Sequence, residues 1–303
     1  MKKILAMLLA AMMCVGLLAG CSGSDEEEET EAAETEAAEE EETEAEEETE
    51  EETEAASSLS GEIIVFAAAS MTETLTEIGD MFMEENPDVT VTFNFDSSGT
   101  LLTQILEGAD CDIFISAGQS QMNQLDIEAD ESVNTDGNDY ILEDTRFDLL
   151  ENKVVLAVPD GNEAGIESFD QLAELLVEDG AVTLAMGNSD VPVGQYTQLI
   201  FEYYGIDEEA ISANLTYGTN VKEVTTQVSE ATVDCGIVYA TDAYSAGLEW
   251  VDEATAEMCG QVIYPAAVLN ITTNEEVALA FIEYITTDEA SAVLESVGFT
   301  PLS

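Results

Sequence analysis

Two serines stand where a chain can hold an anion. Ser70 follows the apolar run Ile63 to Ala67, after Ala68 and Ala69, and Ser70-Met71-Thr72-Glu73 has the spelling of a capping box. Ser98 follows the alternating run Val89 to Phe95, inside the turn Asp96-Ser97-Ser98-Gly99-Thr100. In both places a strand runs into a short turn and a helix start. Unpaired backbone N–H groups, the positive end of the helix dipole and a small hydroxyl then meet, and together they attract an anion. Either serine taken alone also reads as an ordinary N-cap. The recurrence of the arrangement is what argues for a site.

Other chemistries are excluded by composition. The 303 residues contain no histidine, which removes Ser-His-Asp and Cys-His hydrolases and His-ligated metal sites. No Gly-x-Ser-x-Gly elbow is present. Beyond Cys21 the cysteines Cys111, Cys235 and Cys259 show no CxxC spacing. They read as small buried residues, with a Cys235–Cys259 disulfide as the alternative. These absences argue against such hydrolases and such metal sites, and the expectation is a binding protein, not an enzyme, with no cofactor and no metal.

The elements that must position these residues alternate between strand and helix. Strands are expected at Ile63–Ala67, Val89–Phe95, Asp112–Ser116, Lys153–Val158, Ala181–Met186 and Cys235–Tyr239. Helices are expected to follow Ser70, Ser98 and Ser168, to run from Gln195 to Tyr204, to start at an Asn220 cap, and to occupy Asn274–Ile285 and Asp288–Val297. Val262 to Ile271 reads as extended, and Pro265 suggests an edge or crossing position. Residues 126–150 are polar and carry no clear period. The pattern predicts an α/β fold with largely parallel sheets, whose ligand sites lie beyond the carboxyl ends of the strands. Ser70, Ser98, Val193, Val221 and Tyr239 all fall at or just after such ends.

Residues 1–20 read as a leader. Met1-Lys2-Lys3 is basic, Ile4 to Leu18 is apolar, and Leu18-Ala19-Gly20-Cys21 is similar to a lipobox, so the mature chain would begin at a lipidated Cys21. A plain signal peptide or a short membrane anchor is the alternative. Residues 21–60 read as a disordered tether, because Asp25 to Glu54 holds 20 acidic residues in 30, the rest Ala and Thr. A transient Ala/Glu helix and calcium binding are weaker readings of that stretch. The folded part, 61–303, contains only Arg146, Lys153 and Lys222 as basic residues, which excludes nucleic acid as a partner.

Six segments in register resemble the molybdate-binding proteins of bacterial ABC transporters. They are Phe66-Ala67-Ala68-Ala69-Ser70, Ser97-Ser98-Gly99-Thr100, Asp112-Ile113-Phe114-Ile115-Ser116-Ala117, Val191-Pro192-Val193-Gly194-Gln195-Tyr196, Gly236-Ile237-Val238-Tyr239 and Gly298-Phe299-Thr300. The resemblance spans essentially all of 61–303. It implies a two-lobed periplasmic-binding-protein-like fold of type II, with an oxyanion in the interlobe cleft. Lobe 1 would comprise 61–150, completed by about 262–303, and lobe 2 would comprise 151–261. Carried over by motif, Ser70 and Ser98 are ligand-binding serines, Val193 and Val221 offer backbone N–H groups, and Tyr239 donates its hydroxyl. Val193 stands where the family usually has alanine, and Asp96 and Gly99 depart from its more usual small or serine residues. The implied ligands are molybdate and tungstate, and the implied partners are an inner-membrane permease and its ATPase. A monomer anchored to the outer face of the cell membrane through Cys21 is expected.

A dianion bound by so acidic a chain gains nothing from long-range attraction. Its affinity must come from short-range donors. A cage of donors with no acceptor favours fully deprotonated oxyanions and disfavours hydrogen phosphate. Sulfate in the same architecture, an exported Ser-dependent hydrolase and an acidic surface protein are the alternatives.

Overall fold

The computed structural model describes residues 59–178 and 181–302. The expectations for the leader, Cys21 and nearly all of the acidic tether lie outside the described residues. The first lobe begins with β1 (Gly61–Ala68), α1 (Thr72–Glu85), β2 (Val89–Asp96), α2 (Ser98–Leu106), β3 (Ile113–Ile115), α3 (Gln119–Asn123) and β4 (Phe147–Asn152). The chain then enters β5 (Val154–Val158), α4 (Phe169–Val177), β6 (Leu184–Gly187), α5 (Pro192–Tyr204), β7 (Leu215–Gly218), α6 (Val221–Ser229), β8 (Cys235–Tyr239), α7 (Ala240–Ser245), β9 (Glu249–Glu253) and α8 (Ala256–Cys259). It returns through β10 (Val262–Val268), α9 (Glu275–Tyr284), α10 (Asp288–Ser296) and β11 (Thr300–Pro301).

Two sheets result, ordered β11-β4-β10-β3-β1-β2 and β7-β6-β8-β5-β9. The chain passes between them at Asn152-Lys153 and again between β9 and β10. The fold is α/β and two-lobed. β1 is buried on both faces, which is why it reads as a continuous apolar run. Ile63, Val65 and Ala67 pack with Leu75, Ile78 and Phe281, while Phe66 packs on the other side with Leu101, Ile105 and Phe114. Burying side chains of this size stabilises the lobe by about 1.5–3 kcal/mol each.

Several expectations are corrected. The sheets are mixed: β1 pairs parallel with β2 and β3, and β6 with β7 and β8, but β10 runs antiparallel to β3 and β4, and β5 runs antiparallel to β8 and β9. The reversed strands are those that carry the chain between lobes, and their direction is invisible in local pattern. Of the two positions expected for Pro265, edge or crossing, the structure has the crossing one, on the strand that returns the chain from the second lobe. The proline lies inside the first sheet at a register shift between Tyr264 and Pro265, where the bulge spares the ladder a missing donor. α5 begins at Pro192, three residues earlier than expected, because proline fits the first helical position. Cys235 and Cys259 are free and buried, as is Cys111. Residues 126–150, which have no clear period, form turns followed by the start of β4.

Candidate functional site

β1 ends in a single 3-10 turn, Ala69–Met71, that leads into α1. The capping box expected at Ser70 does not form, because Ser70 lies within the turn instead of before the helix. Its side chain is buried, and its Oγ is 3.0 Å from Tyr264 Oη. At the end of β2 the cap is Ser97, whose Oγ accepts from Thr100 N at 3.1 Å. Ser98 is the first residue of α2 and is fully buried. Its Oγ accepts the Ala117 N–H at 2.9 Å, so the serine keeps its own hydrogen to direct elsewhere.

The second lobe supplies the other three residues. Val193 is the second residue of α5, whose N-cap, Val191, has no side-chain acceptor for the N–H groups of the first turn. Val221 opens α6 behind Asn220, which accepts from Glu223 N at 3.0 Å. Tyr239 ends β8 and is buried, and its hydroxyl donates to the Ala117 carbonyl at 3.4 Å. Burial holds the Tyr239 phenol well above its ordinary range, so it remains a neutral donor.

All five residues line one cavity, together with Ala68, Ala69, Asp96, Ser97, Ala117, Val191 and Pro192. It measures about 10 Å³ of space open to the centre of a water-sized sphere. That is about the room one water needs, and far below what a sugar or an amino acid would require. Ala117 had no assigned role in the sequence. Its N–H engages Ser98 and its carbonyl engages Tyr239, so one residue on the loop after β3 joins donors from both lobes.

The cavity lining contains no cation. Lys222, beside Val221, reaches across the cleft to Glu73 on α1, at 2.8 and 3.0 Å from its two carboxylate oxygens, and lies 3.4 Å from buried Asp242. Desolvation pushes the Asp242 carboxyl up to about 6, against the pull of Lys222. Arg146 and Lys153 are paired with Asp126 and Glu253. Each cationic side chain among the described residues is thus in an ion pair, and none lines the cavity.

The departures at Asp96 and Gly99 have structural partners. Asp96 Oδ1 accepts Ser97 N at 2.7 Å and lies 3.4 Å from Asn220 Nδ2 in the other lobe. A Cβ at Gly99 would press into the Asp190 carbonyl, which the second lobe brings against the start of α2.

Comparison with known proteins gives a consistent set of relatives. Residues 63–300 match the family model described as bacterial extracellular solute-binding protein. The chain is 29% identical over 302 residues to a putative ABC transporter substrate-binding lipoprotein, YvgL, of Bacillus subtilis (strain 168), covering 99% of each chain. It is 32% identical over 245 residues to the molybdate-binding protein ModA of Escherichia coli (strain K12), covering 79% of this chain and 89% of that protein. Among solved structures, the Azotobacter vinelandii periplasmic molybdate-binding protein superposes with a TM-score of 0.65 at 20% identity, over 78% of this chain and 98% of that one. The sulfate-binding protein SubI of Mycobacterium tuberculosis H37Rv gives 0.64 at 14% identity, over 80% of this chain and 87% of that one. At those identities the two structures speak for the fold alone.

Proposed function

We propose that this chain, which belongs to the bacterial extracellular solute-binding protein family and is a substrate-binding component of ABC transport, not an enzyme, captures molybdate, with tungstate as a second ligand. The observation that carries the reading is the convergence of Ser70, Ser98, Val193, Val221 and Tyr239 on one small buried cavity without a cation. Hydroxyl and backbone donors from both lobes surround it. Six or so charge-assisted hydrogen bonds at roughly 1.5–3 kcal/mol each can hold a dianion where no counter-charge exists. The 32% identity to ModA supports molybdate as the ion. The ligand-bearing lobes then deliver the ion to a permease and its ATPase. Residues 1–20 serve as a lipoprotein leader, Cys21 carries the lipid, and the acidic stretch to residue 60 tethers a monomeric domain to the outer face of the membrane.

Size separates molybdate from sulfate. The donors sit on strand ends and helix starts, which move little once the lobes have closed. They cannot contract around the smaller sulfate ion, so some hydrogen bonds stretch beyond about 3.2 Å and weaken. Losing two or three of them at about 1.5 kcal/mol each predicts at least a roughly hundredfold preference for molybdate. Molybdate and tungstate are expected within about tenfold of each other. Titration calorimetry of the purified chain against molybdate, tungstate, sulfate and phosphate tests this. Displacement of molybdate by sulfate at comparable concentration would replace the molybdate reading with a sulfate one.

A further inference from the structure

Behind Ser70 runs a buried chain of hydrogen bonds whose direction follows from one fixed donor. The backbone N–H of Lys153 donates to Asn152 Oδ1 at 2.8 Å. A peptide N–H can only donate, so the amide oxygen is identified and the nitrogen faces the other way. There Nδ2 donates to Thr241 Oγ1 at 3.0 Å and to Tyr264 Oη at 3.1 Å. Tyr264 therefore receives a hydrogen from Asn152 and has one of its own to give. Ser70 Oγ lies 3.0 Å away. Tyr239 also interacts with Tyr264, but its hydroxyl donates to Ala117. Ser70, Asn152, Thr241 and Tyr264 are all at most 5% exposed, and a hydroxyl hydrogen left unspent at that depth is costly. With Asn152 donating to Tyr264, a Tyr264 hydrogen directed at Ser70 would leave the Ser70 hydrogen for the cavity.

We infer that Asn152 and Tyr264 are positioning residues that hold the Ser70 hydroxyl as an obligate donor, and thereby make the cavity selective for oxyanions that carry no proton. The inference rests on the oxyanion reading of the cavity. Asn152 is the last residue of β4 in the first lobe, and Thr241 lies on α7 in the second. Thr241 takes only the second amide hydrogen of Asn152, so the segment Asn152–Tyr264–Ser70 that sets the direction lies within the first lobe, beside the crossing at Asn152-Lys153.

Asn152→Asp tests the direction. The carboxylate keeps the shape and the bond to Lys153 N but can only accept. It draws the Tyr264 hydrogen to itself, and Ser70 must then donate to Tyr264 and turn away from the cavity. Titration calorimetry of the full chain with molybdate at pH 8 reads the outcome, with sulfate as the probe should wild type prefer it. Asn152→Asp is expected to weaken binding about as much as Ser70→Ala, tenfold or more, and to cost nothing further in the Ser70→Ala background. Tyr264→Phe keeps the ring against Tyr239 and Phe299, at centroid distances of 5.7 and 5.6 Å. It frees Ser70 to accept as well as donate, so the preference for molybdate over hydrogen phosphate should narrow by about tenfold, and by much less when Ser70 is already alanine. Losses that multiply in the double variant, or an unchanged phosphate ratio in Tyr264→Phe, overturn the relay while leaving the oxyanion site in place. A wild type that binds no tetrahedral oxyanion overturns the functional reading and this inference with it.

Discussion

At Ser70, Ser98 and Tyr239 the proposed working atom is a hydroxyl hydrogen, and its availability depends on what else the oxygen does. Ser98 accepts from Ala117 N and so has its own hydrogen free to give. Tyr239 holds its hydrogen on Ala117 O at 3.4 Å, a weak bond that a dianion outcompetes. Removing any of the three hydroxyls, in Ser70→Ala, Ser98→Ala or Tyr239→Phe, should cost roughly 1.5–3 kcal/mol of binding. Val193→Ala and Val221→Ala keep their N–H groups and should cost little. Calorimetric affinities for the five variants decide between these roles, and equal losses across the set would contradict them.

At the scale of elements, the site consists of places where a strand becomes a helix. Such places present N–H groups that the helix itself cannot pair. The start of α6 offers a clean test. Val221 is its first helical residue, and Asn220 before it is extended, with φ −153° and ψ 171°, which is the conformation a following proline demands. Val221→Pro should therefore leave α6 intact while deleting the N–H proposed to reach the ligand. A melting temperature within a few degrees of wild type, with affinity lowered tenfold or more, is the expected pair of results. Unchanged affinity would show that the Val221 N–H does not reach the ligand.

For the whole molecule, the lobes meet around the cavity through Lys222–Glu73, Asn220–Asp96 and the approach of Asp190 to Gly99. The last of these leaves no room for a side chain. Gly99→Ala should prevent the lobes from approaching fully and weaken molybdate binding by tenfold or more. It should not weaken the first lobe, because alanine is better than glycine inside a helix by about 0.5–1 kcal/mol. Small-angle scattering with saturating molybdate reads the closure directly. A ligand-bound Gly99→Ala chain as compact as wild type would sink this account of Gly99.

The sequence by itself determined the α/β alternation, the Asn220 cap and the absence of histidine chemistry. These depend on local period, short-range capping geometry and composition, all of which survive in one dimension. Only the tertiary structure decided that Ser70 is not a cap but one end of a polar chain, that Ala117 joins Ser98 to Tyr239, and that Lys222 is spent on Glu73. Asn152 and Tyr264 lie in strands with nothing in their neighbours to single them out, and they meet across 112 residues of chain. The direction of β10 was hidden for the same reason. Hydrogen-bond partners far apart in sequence are chosen by where the chain crosses between lobes, and no local pattern carries that information.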